Sequence, residues 1–185
     1  MTQDTRIELG LDELRAVAAY AVACTRLVLP VFEAREPADM RPGAAVEAAW
    51  AFANGARRSR LLRECAWAAL RSAREVTDTG GIAAGEVARA AAAAAGAAYL
   101  HPLADPNQVK HILGSAAHAA HAIELSGEGE ADGDLAALRD LATPLLASVL
   151  RRYPAAPPGG GRVGELMREL DRAVRGPVPR EDPTS

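Results

Sequence analysis

All four histidines of this 185-residue chain lie between residues 101 and 121, together with its one lysine. Imidazoles donate, accept and transfer protons near neutral pH, so their clustering on one helix is a candidate for chemistry. On a helical wheel with His111 at the origin, His118 falls about 20° away, Ser115 about 40°, Gln108 about 60° and His121 about 80°. Val109, Ile112, Ala116, Ala119, Ala120 and Ile123 gather on the other side. The stretch therefore reads as a two-faced helix whose polar strip lines a pocket. His111 and His118 are the candidate acid–base residues there, and His101, Gln108 and Lys110 are candidate ligand contacts. Two other readings stay open. His118 and His121, three apart, have the spacing to share a metal ion, but no carboxylate stands at the matching spacing and Glu124 points elsewhere, so no metal is expected. Alternatively the histidines hydrogen-bond at a helix–helix seam.

A second cluster is Arg57, Arg58, Arg60 and Arg63. Four cations at a helix start oppose the macrodipole, which favours negative charge there. An anion held between the guanidiniums and free backbone N–H groups resolves that conflict, which makes Arg57, Arg58 and Arg60 candidate ligand contacts. The alternative is a solvated patch in an arginine-biased chain, since 20 arginines accompany the one lysine. The acidic candidates for base chemistry are Glu47, Glu64, Glu75, Glu86 and Asp105. Glu47 is preferred because it sits among Ala, Val and Trp; Asp105 is better explained as a helix cap. No nucleophile elbow, phosphate-binding glycine loop, Cys/His knuckle or basic recognition helix is present, so no cofactor is expected.

Helical periodicity supplies the elements that must position these groups. Leu14, Val17, Ala21, Cys24, Val28 and Val31 mark a first helix, with Asp12 as its cap and Pro30 near its end. A second helix covers about 43–53 and is closed by Asn54-Gly55, and a third runs from a Ser59 cap to about Val76. The fourth, about 82–100, contains six consecutive alanines, whose small surface suits a central, closely packed position. Asp105-Pro106-Asn107-Gln108 starts the fifth as cap, first residue and capping box, and that helix runs to about Leu125. An acidic, glycine-rich loop follows over 126–133. A sixth helix spans about 134–152, broken at Thr143-Pro144. Residues 153–161 read as a Pro/Gly linker, 162–175 as a short charged helix, and 176–185 as a disordered tail. No strand signal or fixed repeat occurs. The expectation is an all-α, alanine-rich bundle of six to seven mostly antiparallel helices, with 1–10 as a polar lead and 11–152 as the main domain.

A net charge of −3 gives no global attraction to nucleic acid or anionic membrane. Aromatics make up only 4% of residues, so Trp50, Phe52, Trp67 and Tyr99 are expected to anchor the core, with pocket lining as the lesser role for a tryptophan. Cys24 and Cys65 read as small buried thiols rather than a disulfide. The charged start carries no signal-peptide pattern and no apolar stretch of spanning length is apparent, so a cytoplasmic protein is expected.

Several segments together resemble the Imm-5-like domain family of bacterial immunity-type proteins. They are Ala98-Tyr99-Leu100-His101-Pro102-Leu103, Gln108-Val109-Lys110-His111-Ile112-Leu113-Gly114, Ala53-Asn54-Gly55-Ala56-Arg57-Arg58 and Cys65-Ala66-Trp67-Ala68-Ala69. The resemblance covers about residues 10–126. His101, Gln108, Lys110, His111 and His118 are the residues most typical of that pattern. The resemblance implies a helical module beside a toxin or in a specialised-metabolite setting. Three functions follow. One is a binding module that docks a partner protein, as hetero-oligomer or homodimer, or an anionic small ligand through an Arg/His-lined groove. Another is an enzyme or enzyme subunit that holds a sulfate- or phosphate-bearing substrate and promotes elimination or ring closure with a His or Glu47 base. The last is a structural subunit of a larger complex.

Overall fold

A computed structural model describes residues 6–127 and 131–176. Eight helices pack together there: α1 Leu11–Arg35, α2 Arg41–Ala53, α3 Arg60–Asp78, α4 Ile82–Gly96, α5 Val109–Ser126, α6 Ala131–Asp140, α7 Pro144–Arg151 and α8 Gly161–Arg175. Short 3-10 turns over Ala97–Tyr99 and Pro106–Gln108 bracket the α4–α5 connection. The only pairing outside helices among the described residues is an isolated bridge between Arg6 and Leu103. The all-α bundle expected from periodicity is what forms. It has one helix more than expected because Thr143-Pro144 ends α6 and starts α7. Thr143 Oγ1 accepts the Leu146 N–H at 3.2 Å, and Pro144, which has no N–H to satisfy, takes the first helical position. Residues 1–5, the acidic 128–130 and the tail from 177 lie outside the described residues.

The alanine run decides the layout. α4 buries Ala84, Ala88, Ala90, Ala91, Ala94 and Ala95, and it packs against α1, α2, α3 and α5 together. Side chains this small let four neighbours approach one axis. Larger side chains fill the remaining core: Phe32, Phe52, Leu62, Ile112, Leu113 and Leu150 are fully buried. α1 has the length and apolar composition of a membrane span, contrary to the expectation that no such stretch exists. Its Val17, Ala21, Cys24, Val28 and Phe32 are nevertheless buried inside the bundle, where α1 packs on α4 and α5. Burial pushes the Cys24 thiol up to about 12, so it behaves as a small apolar group.

Caps account for several boundaries. Gly10, not Asp12, caps α1, because Glu13 Oε2 accepts the Gly10 N–H at 2.7 Å. Asp105 caps its turn by accepting the Asn107 N–H at 2.8 Å, but Gln108 does not close a capping box. Its Oε1 instead accepts the His101 N–H at 3.0 Å and holds the α4–α5 connection. Asp39 joins α2 to α3 by accepting from Arg41 and from the Ser72 hydroxyl at 2.6 Å, and the Arg41 guanidinium holds its carboxyl down to about 2.

The Pro/Gly segment after α7 is stitched to α8. Arg175 donates to the Tyr153 and Pro154 carbonyls, Arg168 to those of Pro157 and Gly159, and Asp171 accepts the Ala156 N–H. α8 lies on α5, with Leu166, Leu170 and Val174 buried and Arg162 holding Glu124 of α5.

Candidate functional site

α4 runs antiparallel to both α3 and α5. Tyr99 Oη donates to the Ser59 carbonyl at 3.0 Å, His111 meets Gly96 at 3.1 Å, and His118 meets Glu86 at 2.6 Å, so the register across the three helices is fixed. A groove of about 650 Å³ runs along this face. α3 contributes Arg63, Ala66, Trp67 and Leu70, and α4 contributes Arg89, Ala92, Ala93 and Gly96. Lys110, His111, Gly114 and His118 come from α5, with Tyr99 at one end and Met167 of α8 along the side. The small residues of α4 and α5 are what make it a groove, since no Cβ stands at Gly96 or Gly114. Among the described residues its lining contains no carboxylate.

The two groove histidines are tied back to α4 by the same ring atom. A carbonyl only accepts, so His111 Nδ1 carries the proton it gives to Gly96. Burial then pushes the His111 pKa down, with only the Gly96 hydrogen bond opposing; the charges of Lys110 and His101 add to the fall. His118 Nδ1 donates to Glu86 Oε2. Glu86 is 7% exposed, and its other oxygen pairs with Arg89 at 3.0 Å. His121 Nδ1 lies 3.5 Å from Glu86 Oε2 without a hydrogen bond. Burial alone would raise the Glu86 pKa; the His118 hydrogen bond and the charges of His118, Arg89 and His121 outweigh it and hold the carboxyl below the usual range. Both groove histidines thus keep Nε2 free of protein hydrogen bonds among the described residues.

The candidates from sequence divide accordingly. His111, His118 and Lys110 line the groove. Gln108 and His101 do not: Gln108 braces the connection, and the His101 carbonyl accepts from Tyr153 Oη at 2.8 Å. Ser115 leaves the strip altogether, because its hydroxyl joins Thr25 at 2.7 Å and the Ala21 carbonyl of α1. Arg57, Arg58 and Arg60 are exposed beyond the groove lining. Arg58 donates to the Ala98 carbonyl and sits 5.6 Å from the Tyr99 ring, while Arg60 pairs with Glu64. The arginine that reaches the groove is Arg63, one turn into α3 and also 5.6 Å from Tyr99. Glu47 stands apart: its side chain is 69% exposed and bound to Arg26, whose guanidinium lies over Trp50. The carboxylate that meets the histidines is Glu86. Trp50 and Trp67 are not core anchors; Trp67 is 61% exposed on the groove rim. No group of three metal-type ligands occurs among the described residues.

Residues 8–142 match the family described as "Imm-5 like putative immunity protein". The chain belongs to that family. The match runs past residue 126 to the end of α6, and it leaves α7, the Pro/Gly segment and α8 outside. One wall of the groove in this Imm-5-like protein, at Met167, therefore comes from beyond the matched residues. No curated protein and no solved structure matches the chain.

The lowered His111 pKa makes a prediction with a definite sign. The unfolded imidazole takes its proton near pH 6.5, while the folded one resists until lower pH. Stability is therefore expected to fall as pH drops below about 6.5 toward the depressed folded value. His111→Gln should flatten that part of a urea-unfolding pH series; an unchanged slope would count against the burial of a neutral imidazole.

Proposed function

We propose that this Imm-5-like protein is an immunity-type helical module that docks a partner protein by taking an anionic group of that partner into the Arg/His-lined groove. One observation carries the reading: Arg63, Arg89 and Lys110 line a groove that has no carboxylate among the described residues, on a chain whose net charge is −3. A cationic concavity on an acidic protein attracts an anionic group and sets its orientation. Arg89 is already paired with Glu86, which leaves Arg63 and Lys110 as the groove cations without a carboxylate partner among the described residues. Trp67 on the rim adds the exposed aromatic surface that contributes strongly at protein interfaces. The family points to a protein partner in general, and the cytoplasm, where both cysteines stay thiols, is the compartment that fits. Of the bases offered for the enzymatic alternative, Glu47 is remote from the groove, while His111 and His118 line it.

The test is co-expression with the product of the neighbouring gene and measurement of the complex by calorimetry. Arg63→Glu with Lys110→Glu reverses both charges at exposed positions, so the fold should persist. Affinity is expected to fall by about 100-fold or more, from lost attraction plus new repulsion. A complex of unchanged affinity would place the docking surface elsewhere.

A further inference from the structure

The last part of the chain is bonded largely to itself. Arg168 donates to the Pro157 and Gly159 carbonyls, and the buried Asp171 accepts the Ala156 N–H. Gly159, Gly160 and Gly161 take φ of +87°, +78° and +58°, a run of left-handed backbone that glycine adopts without strain. The run folds the Gly159 carbonyl onto Gly164, where a Cβ would collide with it. The Pro/Gly segment and α8 therefore form one stitched unit. Between that segment and α5 lies a second cavity of about 240 Å³, reached by Asn107 and Lys110. Lys110 and Met167 line both this cavity and the groove. Open space on that side leaves the unit room to shift without first breaking packed contacts.

The two ends of α8 are fastened unequally. At the C-terminal end Val174 is buried, Arg175 donates to the Tyr153 and Pro154 carbonyls, and Arg151 of α7 donates to the Arg175 carbonyl. Tyr153 is itself buried, with its hydroxyl on the His101 carbonyl. At the N-terminal end Leu166 is buried, but the polar tie to α5 among the described residues is a partly exposed pair, Arg162 with Glu124. A pair of that kind is weak and opens easily. Met167 stands nearer to Arg162 than to Arg175 along the helix, so it moves when the N-terminal end swings. We infer that α8 is a gate on the groove: it pivots at Tyr153 and Arg175, latches through Arg162 and Glu124, and on release withdraws Met167 so that the partner's anionic group enters from the side. The apolar stripe of Leu166 and Leu170 draws the gate shut again. The pivot and latch rest on the geometry of α8, and what passes the gate rests on the docking reading above. The gate is built from residues beyond the family match.

The experiment compares Glu124→Gln and Arg162→Gln in the full chain. Both break the same latch at partly exposed positions, so both should fold, yet they change the charge beside the groove in opposite directions. Amide hydrogen exchange of the chain alone comes first. In each variant, residues 165–169 are expected to lose protection about threefold, while residues 172–175 and α4 keep theirs. Protection that is unchanged, or that falls evenly from 165 to 175, would overturn the hinge. Stopped-flow association with the product of the neighbouring gene comes second. A gate that is open about three times as often admits the partner about threefold faster, and it does so in both variants. Electrostatic steering alone would speed Glu124→Gln and slow Arg162→Gln, and that result, or an unchanged rate in both, would overturn the gate. Failure of the docking reading shows separately: the Arg63→Glu, Lys110→Glu chain would then bind its partner unchanged, whatever the exchange pattern of α8.

Discussion

Glu86→Ala is expected to lower the unfolding free energy by about 2–4 kcal/mol at neutral pH, because it removes the buried carboxylate that faces Arg89, His118 and His121 together. The carboxylate is buried and its partners are about three-quarters buried, so the loss should exceed that of a surface ion pair. Removing it leaves the His118 Nδ1 proton without its acceptor and Arg89 without its counter-charge. The effect has a pH signature. A carboxyl held below the usual range contributes stability that is present above its unfolded pKa and is lost as pH falls through the folded value. Urea unfolding at pH 7 and near pH 3 should therefore show a wide gap between wild type and variant that narrows on acidification. Glu86→Gln, which keeps the shape and one acceptor, should fall between them. A gap of the same size at both pH values would assign the effect to packing alone.

Leu170→Ala is expected to cost about 2–4 kcal/mol and to loosen α8 before the rest of the bundle. Leu170 is fully buried one turn from Leu166, and with Val174 these residues form the apolar stripe that seats α8 on α5. The Arg162–Glu124 tie of α8 to α5 is partly exposed and contributes less. Hydrogen exchange should show the amides of α8 losing protection first, with those of α4 retained. Because Met167 rides on the same helix, the groove loses its side wall in the same opening. Uniform loss of protection across all helices would show that α8 belongs to one cooperative unit with the core.

The bundle itself was legible because burial follows periodicity. The Val17–Val28 stripe of α1 and the Leu166–Val174 stripe of α8 are read directly from apolar spacing. The central place of α4 was legible from its alanines, since only small side chains let four helices share one neighbour. Residue-level site reading was only partly legible. His111 and His118 fall where the wheel puts them, but Ser115, about 40° from His111, is claimed by Thr25 of α1; a wheel shows direction and not which neighbour stands there. Glu47 looked apolar in its surroundings along the chain yet faces solvent. Glu86 carried the better signal, a lone carboxylate three residues before Arg89 in an otherwise alanine-rich helix, which needs a partner when buried. The arginines illustrate the same limit. Arg57, Arg58 and Arg60 precede or start α3, whereas Arg63, one turn on, has the face that turns to α4. Scarcity of aromatics suggested core roles for Trp50 and Trp67, but alanine and leucine fill that core and leave the indoles at the surface.

The central claim is that Lys110 and Arg63 receive an anionic group of a partner protein. A crystal structure of the complex between this chain and its partner tests it most directly. The account predicts a carboxylate of the partner within hydrogen-bond distance of Lys110 Nζ or the Arg63 guanidinium, with partner atoms against Trp67 and Met167. A partner seated on another face, with solvent in the groove between α3, α4, α5 and α8, would contradict it.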